Sequence, residues 1–143
     1  MVTIKEFAER MGKVEAEARK AAEKIVLRYN NEVVSLQNQQ LLKGKDIHGE
    51  TMQNGYSSAY GKLRRKKGLQ TSFVDLKFTG KYQRSKKLVK YSYGVDIRSD
   101  ADYEAHLRAN FPDHVGLNVE NSEVIAEKMA EELGNEMKKY LTK

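Results

Sequence analysis

The first third of the chain carries an apolar stripe that fits one kind of local structure. Its apolar side chains recur at alternating steps of three and four residues: Ile4, Phe7, Met11, Val14, Ala18, Ala21 and Ile25. This spacing is typical of one face of an amphipathic α-helix. Thr3 with Glu6 has the form of a capping box at the start of that helix. We expect residues 1–42 to form either one long helix to about residue 40 or two helices that meet near residue 31.

Two interpretations remain of what packs against this stripe. The heptad-like spacing suits a coiled coil, whereas the small residues Ala18 and Ala21 favour close packing against a sheet or a neighbouring subunit. Packing within the chain is the main interpretation.

The rest of the chain predicts short elements of mixed type. Residues 43–68 are expected to form a Gly-rich loop and then a basic helix that Ser57 caps and Gly68 ends. Residues 69–99 are expected to form a β region, with strands over 88–93 and 95–99 and a turn at Gly94. Residues 100–143 are expected to be helical, with one helix over 101–110 and a last helix capped by Ser122. This order predicts a single α+β domain over residues 1–143, with a long N-terminal helix, a small antiparallel β-sheet and C-terminal helices.

Composition excludes several kinds of chemistry. The 143 residues contain no Cys, so thiolate metal sites, disulfides and Cys nucleophiles are ruled out. No apolar run is long enough for a membrane span, so we expect a soluble protein without a membrane partner. Four nearby acids lack the spacing of a calcium loop: Asp96, Asp100, Asp102 and Glu104. No catalytic motif stands out, so we expect a protein that is not an enzyme and needs no cofactor or metal. A metal-dependent nuclease that uses Asp96 and Asp100 is the weakest alternative.

Charge is distributed unevenly along the chain. The formal net charge is +6, but residues 1–42 carry +1, residues 43–90 carry +10 and residues 91–143 carry −5. Nine cations of the central segment are candidates for contact with DNA or with a partner: Lys62, Arg64, Arg65, Lys66, Lys67, Lys81, Arg84, Lys86 and Lys87. Aromatic residues lie between them, a combination that suits a phosphate backbone and stacked bases. The same cations could instead meet the acidic C-terminal third of a second copy of the chain.

A set of short motifs resembles a known family. The segment QLLKGKDIHGETMQNGY is followed by a basic stretch that ends in KKG, and then by LKFTG and KYQRS. This order resembles the tail-completion and head–tail joining proteins, the virion-morphogenesis family of tailed bacteriophages. The pattern falls on ten positions: Asp46, Gly49, Tyr56, Lys67, Gly68, Leu76, Thr79, Gly80, Tyr82 and Ser85. Six of them are its loop and turn candidates: Asp46, Gly49, Tyr56, Leu76, Thr79 and Gly80.

The resemblance implies a structural role. It implies a tail-completion or connector subunit that forms a homo-oligomeric ring in the neck or tail of the virion, assembled in the cytoplasm of the host bacterium. The implied partners are further copies of the chain, other head–tail or tail proteins, and, as one more candidate, the DNA that passes through the channel. The alternative hypothesis is a basic nucleic-acid-binding accessory protein.

Overall fold

The computed structural model describes residues 1–52 and 55–142, and residues 53, 54 and 143 lie outside the described part. Two helices span the first third: α1 (Ile4–Arg28) and α2 (Asn30–Leu42). The capping box is confirmed, because the Thr3 side chain accepts from the Glu6 backbone N–H and the Glu6 carboxylate accepts from the Thr3 backbone N–H at 2.8 Å. Because α1 ends at Arg28 and α2 begins at Asn30, the expectation of two helices is the correct one, and the break lies at Tyr29. Beside the break, Asn30 Oδ1 accepts from the backbone N–H of Leu88 at 2.6 Å.

The predicted basic helix is confirmed as α3 (Ser58–Lys66). The Ser57 hydroxyl accepts from the backbone N–H of Tyr60, and Gly68 follows the helix with a φ of +72°. The loop before α3 holds a single antiparallel bridge between Lys45 and Thr51.

The β structure within residues 69–99 is smaller than expected. Within the described residues it consists of two antiparallel strands, β1 (Lys87–Tyr91) and β2 (Gly94–Arg98). Residues 69–80 form no strand, and α4 (Lys81–Arg84) is a single helical turn. The Gln70 side chain accepts from the backbone N–H of Ser72, and the Asp75 side chain accepts from that of Lys77. These local bonds occupy donors that a strand ladder would need.

The hairpin turn and the last two helices also begin at residues that differ from the expected ones. Ser92 and Tyr93 form the turn, while Gly94 pairs with Tyr91 as the first residue of β2. The first C-terminal helix, α5, spans Glu104–Asn110 and is followed by a 3-10 turn over Pro112–His114.

The last helix, α6, spans Val119–Leu141 and is capped by Asn118, four residues ahead of the expected Ser122. The Asn118 side chain accepts from the backbone N–H of Asn121 at 2.9 Å, and Asn is among the strongest N-cap residues. The α+β class, with a long N-terminal helix, a small antiparallel sheet and C-terminal helices, is confirmed.

Two buried clusters form the core. The first contains Leu41, Met52, Val74, Tyr82 and Ala101. The second contains Val33, Ile97 and Ile125, with Tyr29 and Met129 packed against it. Together they join α2, the hairpin and the C-terminal helices.

Two buried amides fix the start of α6 on α2. Gln37 donates to the carbonyl of His114 at 2.9 Å and accepts from the backbone N–H of Gly116 at 2.7 Å. The Gln40 side chain accepts from the backbone N–H of Asn118 at 2.8 Å. These bonds satisfy loop groups that burial would otherwise leave unpaired.

Helix α6 then runs back along α1. The Tyr29 hydroxyl donates to Glu132 at 2.7 Å, and one turn later Glu136 lies among Ala21, Lys24 and Arg28. The stripe on α1 is partly covered here, with Ile25 buried and Ala18 and Ala21 half-buried. Residues 1–13 are exposed throughout. The stripe is thus exposed over Ile4, Phe7 and Met11 and is partly buried from Val14 onward. Among the described residues, none of the helices combines the length and apolar character that a bilayer crossing requires.

Candidate functional site

Arg64, one of the nine candidate cations, lies in the interior instead of at the surface. Its side chain is only 1% exposed and forms an ion pair of 3.1 Å with Asp75. The guanidinium also donates to the carbonyls of Gln70 at 2.9 Å and Lys77 at 2.6 Å. The expectation that Arg64 contacts DNA or a partner is therefore wrong. Arg64 lies on the inner face of α3. The N–H donors of its guanidinium therefore face the carbonyls of the loop over 69–80, which are not bonded to a strand.

Aromatic groups complete this cluster around Asp75. The Tyr56 hydroxyl donates to Asp75 Oδ1 at 2.8 Å and accepts from the Asp75 backbone N–H at 3.0 Å. The Arg64 guanidinium lies 4.2 Å from the centre of the Tyr56 ring. Burial, together with the nearby Asp75 carboxylate, raises the pKa of Tyr56 to about 12. The hydroxyl stays protonated at neutral pH, so it serves as a structural donor.

Sequence reasoning missed Asp75 and Gln70, although a signal existed. Asp75 is the only acidic residue between positions 51 and 95, in the most basic part of the chain. A lone acid among many cations is a candidate for a buried ion pair, because a charged group seldom enters the interior without a partner.

Lys86 is the second candidate cation that the structure places inside. It is 7% exposed, and its Nζ lies 4.6 Å from the centre of the Tyr82 ring. Within the described residues, Nζ has no hydrogen-bond partner. Burial, with a smaller contribution from the nearby Arg108, lowers the pKa of Lys86 to about 7. Lys86 lies between α4 and β1 with its side chain buried, so it is not part of a contact surface.

Three further candidates are engaged at the surface. Lys81 lies 3.9 Å from Asp102, and Lys87 lies 3.6 Å from Asp100. Arg84 donates to the carbonyl of Thr79 at 3.0 Å. Exposed pairs of this kind contribute little to stability, and a partner could displace them.

The remaining four candidates form one free charged surface, which we call the basic face of α3: Lys62, Arg65, Lys66 and Lys67. All four side chains are exposed, and none has an acidic partner in the described part of the chain. Lys67 lies 5.6 Å from the centre of the Phe78 ring.

An acidic counterpart lies on α6. Its exposed carboxylates recur at steps of three and four residues, which places them along one side of the helix: Glu120, Glu123, Glu127 and Glu131. No ion pair within the described residues involves them, in contrast to Glu132, which faces Arg28 at 3.7 Å. We call this row the acidic face of α6.

The six loop and turn residues of the family-like pattern have two separate roles. Asp46 accepts from the backbone N–H groups of His48 at 2.9 Å and Glu50 at 3.0 Å. Gly49 and Gly80 have φ values of +76° and +86°, which favour glycine. These three residues shape turns.

Tyr56, Leu76 and Thr79 instead line a cleft of about 540 Å³. Aromatic rings dominate its walls, and α5 closes one side with Leu107. Leu76 is the single non-glycine residue with a positive φ, 58°, among the residues described. Three residues of the pattern therefore line one cleft, and the other three shape turns.

The acids considered for metal binding are divided among ion pairs. Asp96 lies 3.4 Å from Arg108, and Glu104 pairs with Arg108 at 3.2 Å. Asp100 and Asp102 pair with lysines, as described above. Across residues 1–52 and 55–142, no group of three His, Asp or Glu side chains is placed to hold a metal ion.

The three histidines also lie apart. His114 is fully buried, with Nε2 at 2.5 Å from the Tyr82 hydroxyl and Nδ1 beside the Phe111 carbonyl. Burial lowers the pKa of His114 to about 4. His48 lies 3.7 Å from Asp113 at the surface, and His106 is exposed. His114 is therefore a neutral core residue at physiological pH. Comparison of the chain with protein-family models, with curated proteins and with solved structures finds no match.

Proposed function

We propose that this protein is a structural subunit of a tailed-bacteriophage particle, where it acts in tail completion or head–tail joining as part of a homo-oligomeric ring. One observation supports self-assembly above all: the basic face of α3 and the acidic face of α6 are both exposed and both lack partners within the described residues. The motif pattern from Asp46 to Gly80 supports the location in the virion neck or tail.

Two unlike faces on different helices favour a head-to-tail contact. The basic face of α3 on one copy would meet the acidic face of α6 on the next, which leaves one free face at each end of a pair. Such a contact closes into a ring when its rotation permits. Exposed Val119 and Val124 lie among the acids of α6 and would add apolar area to the contact.

A charge exchange tests this contact. The first variant combines Lys66→Glu with Lys67→Glu, and the second combines Glu123→Lys with Glu127→Lys. Each variant alone should stay monomeric, because like charges then face each other, and an equimolar mixture should recover the oligomer. Light scattering across concentration and salt measures both. The control Lys24→Glu with Lys43→Glu has the same charge change at exposed positions outside α3, α6 and residues 1–13, and should assemble normally. A protein that stays monomeric under every condition, or a mixture without recovery, contradicts the proposal.

The location in the particle has its own test. Deletion of the gene from its phage should leave heads and tails that fail to join or complete, as seen by electron microscopy. Intact infectious particles without the protein would contradict the location, whatever the oligomeric state.

A second candidate function is nucleic-acid binding through the same basic face. The exposed Tyr93 ring in the hairpin turn, stacked on Tyr91 at 5.2 Å, offers a separate surface on which bases could stack. Neutralising Arg65, Lys66 and Lys67 should then flatten the dependence of DNA affinity on salt, by about 0.9 in logarithmic slope for each phosphate that the variant no longer neutralises. DNA affinity that is absent at low salt, or unchanged in this variant, rules the function out. Arg64 takes no part because it is buried.

A further inference from the structure

At the start of α1, Ile4, Phe7 and Met11 form an apolar stripe that the described part of the chain leaves exposed. Ile4 is 90% exposed, Phe7 59% and Met11 51%. The capping box at Thr3 and Glu6 keeps the segment helical to its first residue. Residues 4–13 extend the helix by roughly 15 Å. We call residues 1–13 the arm.

The uncovered stripe continues an interface that already exists within the chain. Ala18, Ala21 and Ile25 are half-buried or buried, lie on the part of α1 along which α6 runs, and belong to the same row as Phe7 and Met11. Helix α6 runs antiparallel to α1 and ends at Leu141, which is 63% exposed. Any helix that covers the arm would therefore lie in line with α6, beyond its end.

We propose that the arm pairs with the arm of a second copy of the chain, in an antiparallel arrangement about a two-fold axis. In this arrangement Phe7 lies opposite Met11 of the second copy, and Ile4 lies opposite its Val14. The stripe is complementary to itself because its steps of three and four read the same way in both directions. Ala8 lies at the axis and lets the two helices approach closely.

The antiparallel direction follows from the position of α6. A parallel pair would bring the second α1 into the space that α6 occupies along the second half of α1. An antiparallel pair places each arm where α6 has ended, with the two bodies on opposite sides of the contact. The positive N-terminus of each arm then meets the negative C-terminus of an α6 helix. Exposed Met1, Val2 and Leu141 come together at that junction.

This pairing is independent of the charged faces invoked for ring formation. It is two-fold, whereas the contact between α3 and α6 is head-to-tail. The contact area is small, so pairing should depend on protein concentration.

Cross-linking tests the geometry directly, since the chain has no natural Cys. Ala8→Cys places a thiol at the proposed axis and should form a disulfide-linked dimer under mild oxidation of the full chain. The matched control Glu9→Cys lies on the opposite side of the arm and should remain monomeric. Equal cross-linking of both variants, or none in either at the highest attainable concentration, overturns the proposal.

A charge variant separates the two directions. The antiparallel pair brings the two Arg10 side chains together, so Arg10→Gln should tighten the dimer by about 1.4-fold to 2.3-fold. A parallel pair would place Arg10 beside Glu15 of the second copy, and the same variant would weaken it. Sedimentation equilibrium measures the change, and a weaker dimer overturns the proposal.

Salt distinguishes this contact from the proposed ring contact. Added salt should strengthen arm pairing, because it screens the two Arg10 charges, and should weaken the contact between α3 and α6. Phe7→Ser should abolish cross-linking through Ala8→Cys while the charge-exchange recovery persists. Disappearance of both together would show that the arm contact is not a separate interface.

Discussion

The segment from α3 to β1 and the first half of α1 reverse the usual distribution of polar and apolar side chains. In the first, Arg64, Asp75 and Lys86 are buried in contact with carbonyls and aromatic rings. In the second, Ile4 and Phe7 lie in solvent. The difference lies in the partners available within one chain. The loop over 69–80 offers carbonyls that need donors, whereas α6 ends before it reaches the arm.

The largest effect should come from the buried ion pair. Arg64→Met leaves the Asp75 carboxylate in the interior without its cation, and removing one partner of such a pair costs about 3–5 kcal/mol. The midpoint of urea unfolding measures the decrease in stability. Arg65→Met, one residue along on the exposed side of α3, should change stability by less than about 0.5 kcal/mol. Equal effects of the two variants would break the contrast between inner and outer cations.

Replacing Lys86 should raise stability at neutral pH, whereas replacing Arg64 should lower it. Its pKa of about 7 in the folded state lies below the ordinary value of 10.5. Between these values the unfolded chain binds more protons, so stability should rise with pH, by about 3 kcal/mol from pH 7 to 10. Lys86→Met should be more stable at pH 7 and should lose this slope. Lys87→Met, at an exposed position, is the control, and a slope that persists in Lys86→Met contradicts the assignment.

His114 should make the protein sensitive to acid. Its pKa of about 4 in the folded state lies below the ordinary value of 6.5. The unfolded chain gains a proton first as the pH falls, so about 2 kcal/mol of stability should disappear between pH 6.5 and 4. Thermal unfolding at several pH values measures it. This decrease should shrink in His114→Gln and stay in His106→Gln, and an equal pH dependence in both variants speaks against a buried neutral imidazole.

The arm should give the smallest effect on the stability of a single chain. Phe7→Ser removes a large apolar side chain, but one that is 59% exposed and outside the core. We expect a change of less than about 0.5 kcal/mol at a concentration where the protein is monomeric. Urea unfolding in dilute solution measures it. A decrease of several kcal/mol would mean that the arm folds back onto the body.

Some helices and their ends can be predicted from residues that are close together in the sequence. The stripe on α1, the caps at Thr3 and Ser57, and the end at Gly68 follow from neighbouring residues, and all are confirmed. The start of α6 lies earlier than the local signal predicts, because Asn118 and Ser122 are both good caps. The bond from Gln40 to Asn118, across 78 residues, favours the earlier start.

The candidate site depends more on distant contacts. The basic segment is present, but no local pattern distinguishes Arg64 from Arg65 or Lys86 from Lys87. The inner face of α3 is defined by Asp75 and the carbonyls of Gln70 and Lys77, which the chain brings together only in the folded state. The loop over 69–80 contains β-branched and aromatic residues that predict a strand, and side-chain bonds from Gln70 and Asp75 override that preference.

The pairing of α1 with α6 joins the two ends of the polypeptide, and this has a consequence during synthesis. Tyr29 and Glu132 are separated by 103 positions. A ribosome that adds 5–20 residues per second needs roughly 5–20 s to produce the second after the first. For that interval the whole stripe from Ile4 to Ile25 emerges without its cover. Many nascent copies on one messenger would then display the same exposed apolar stripe side by side.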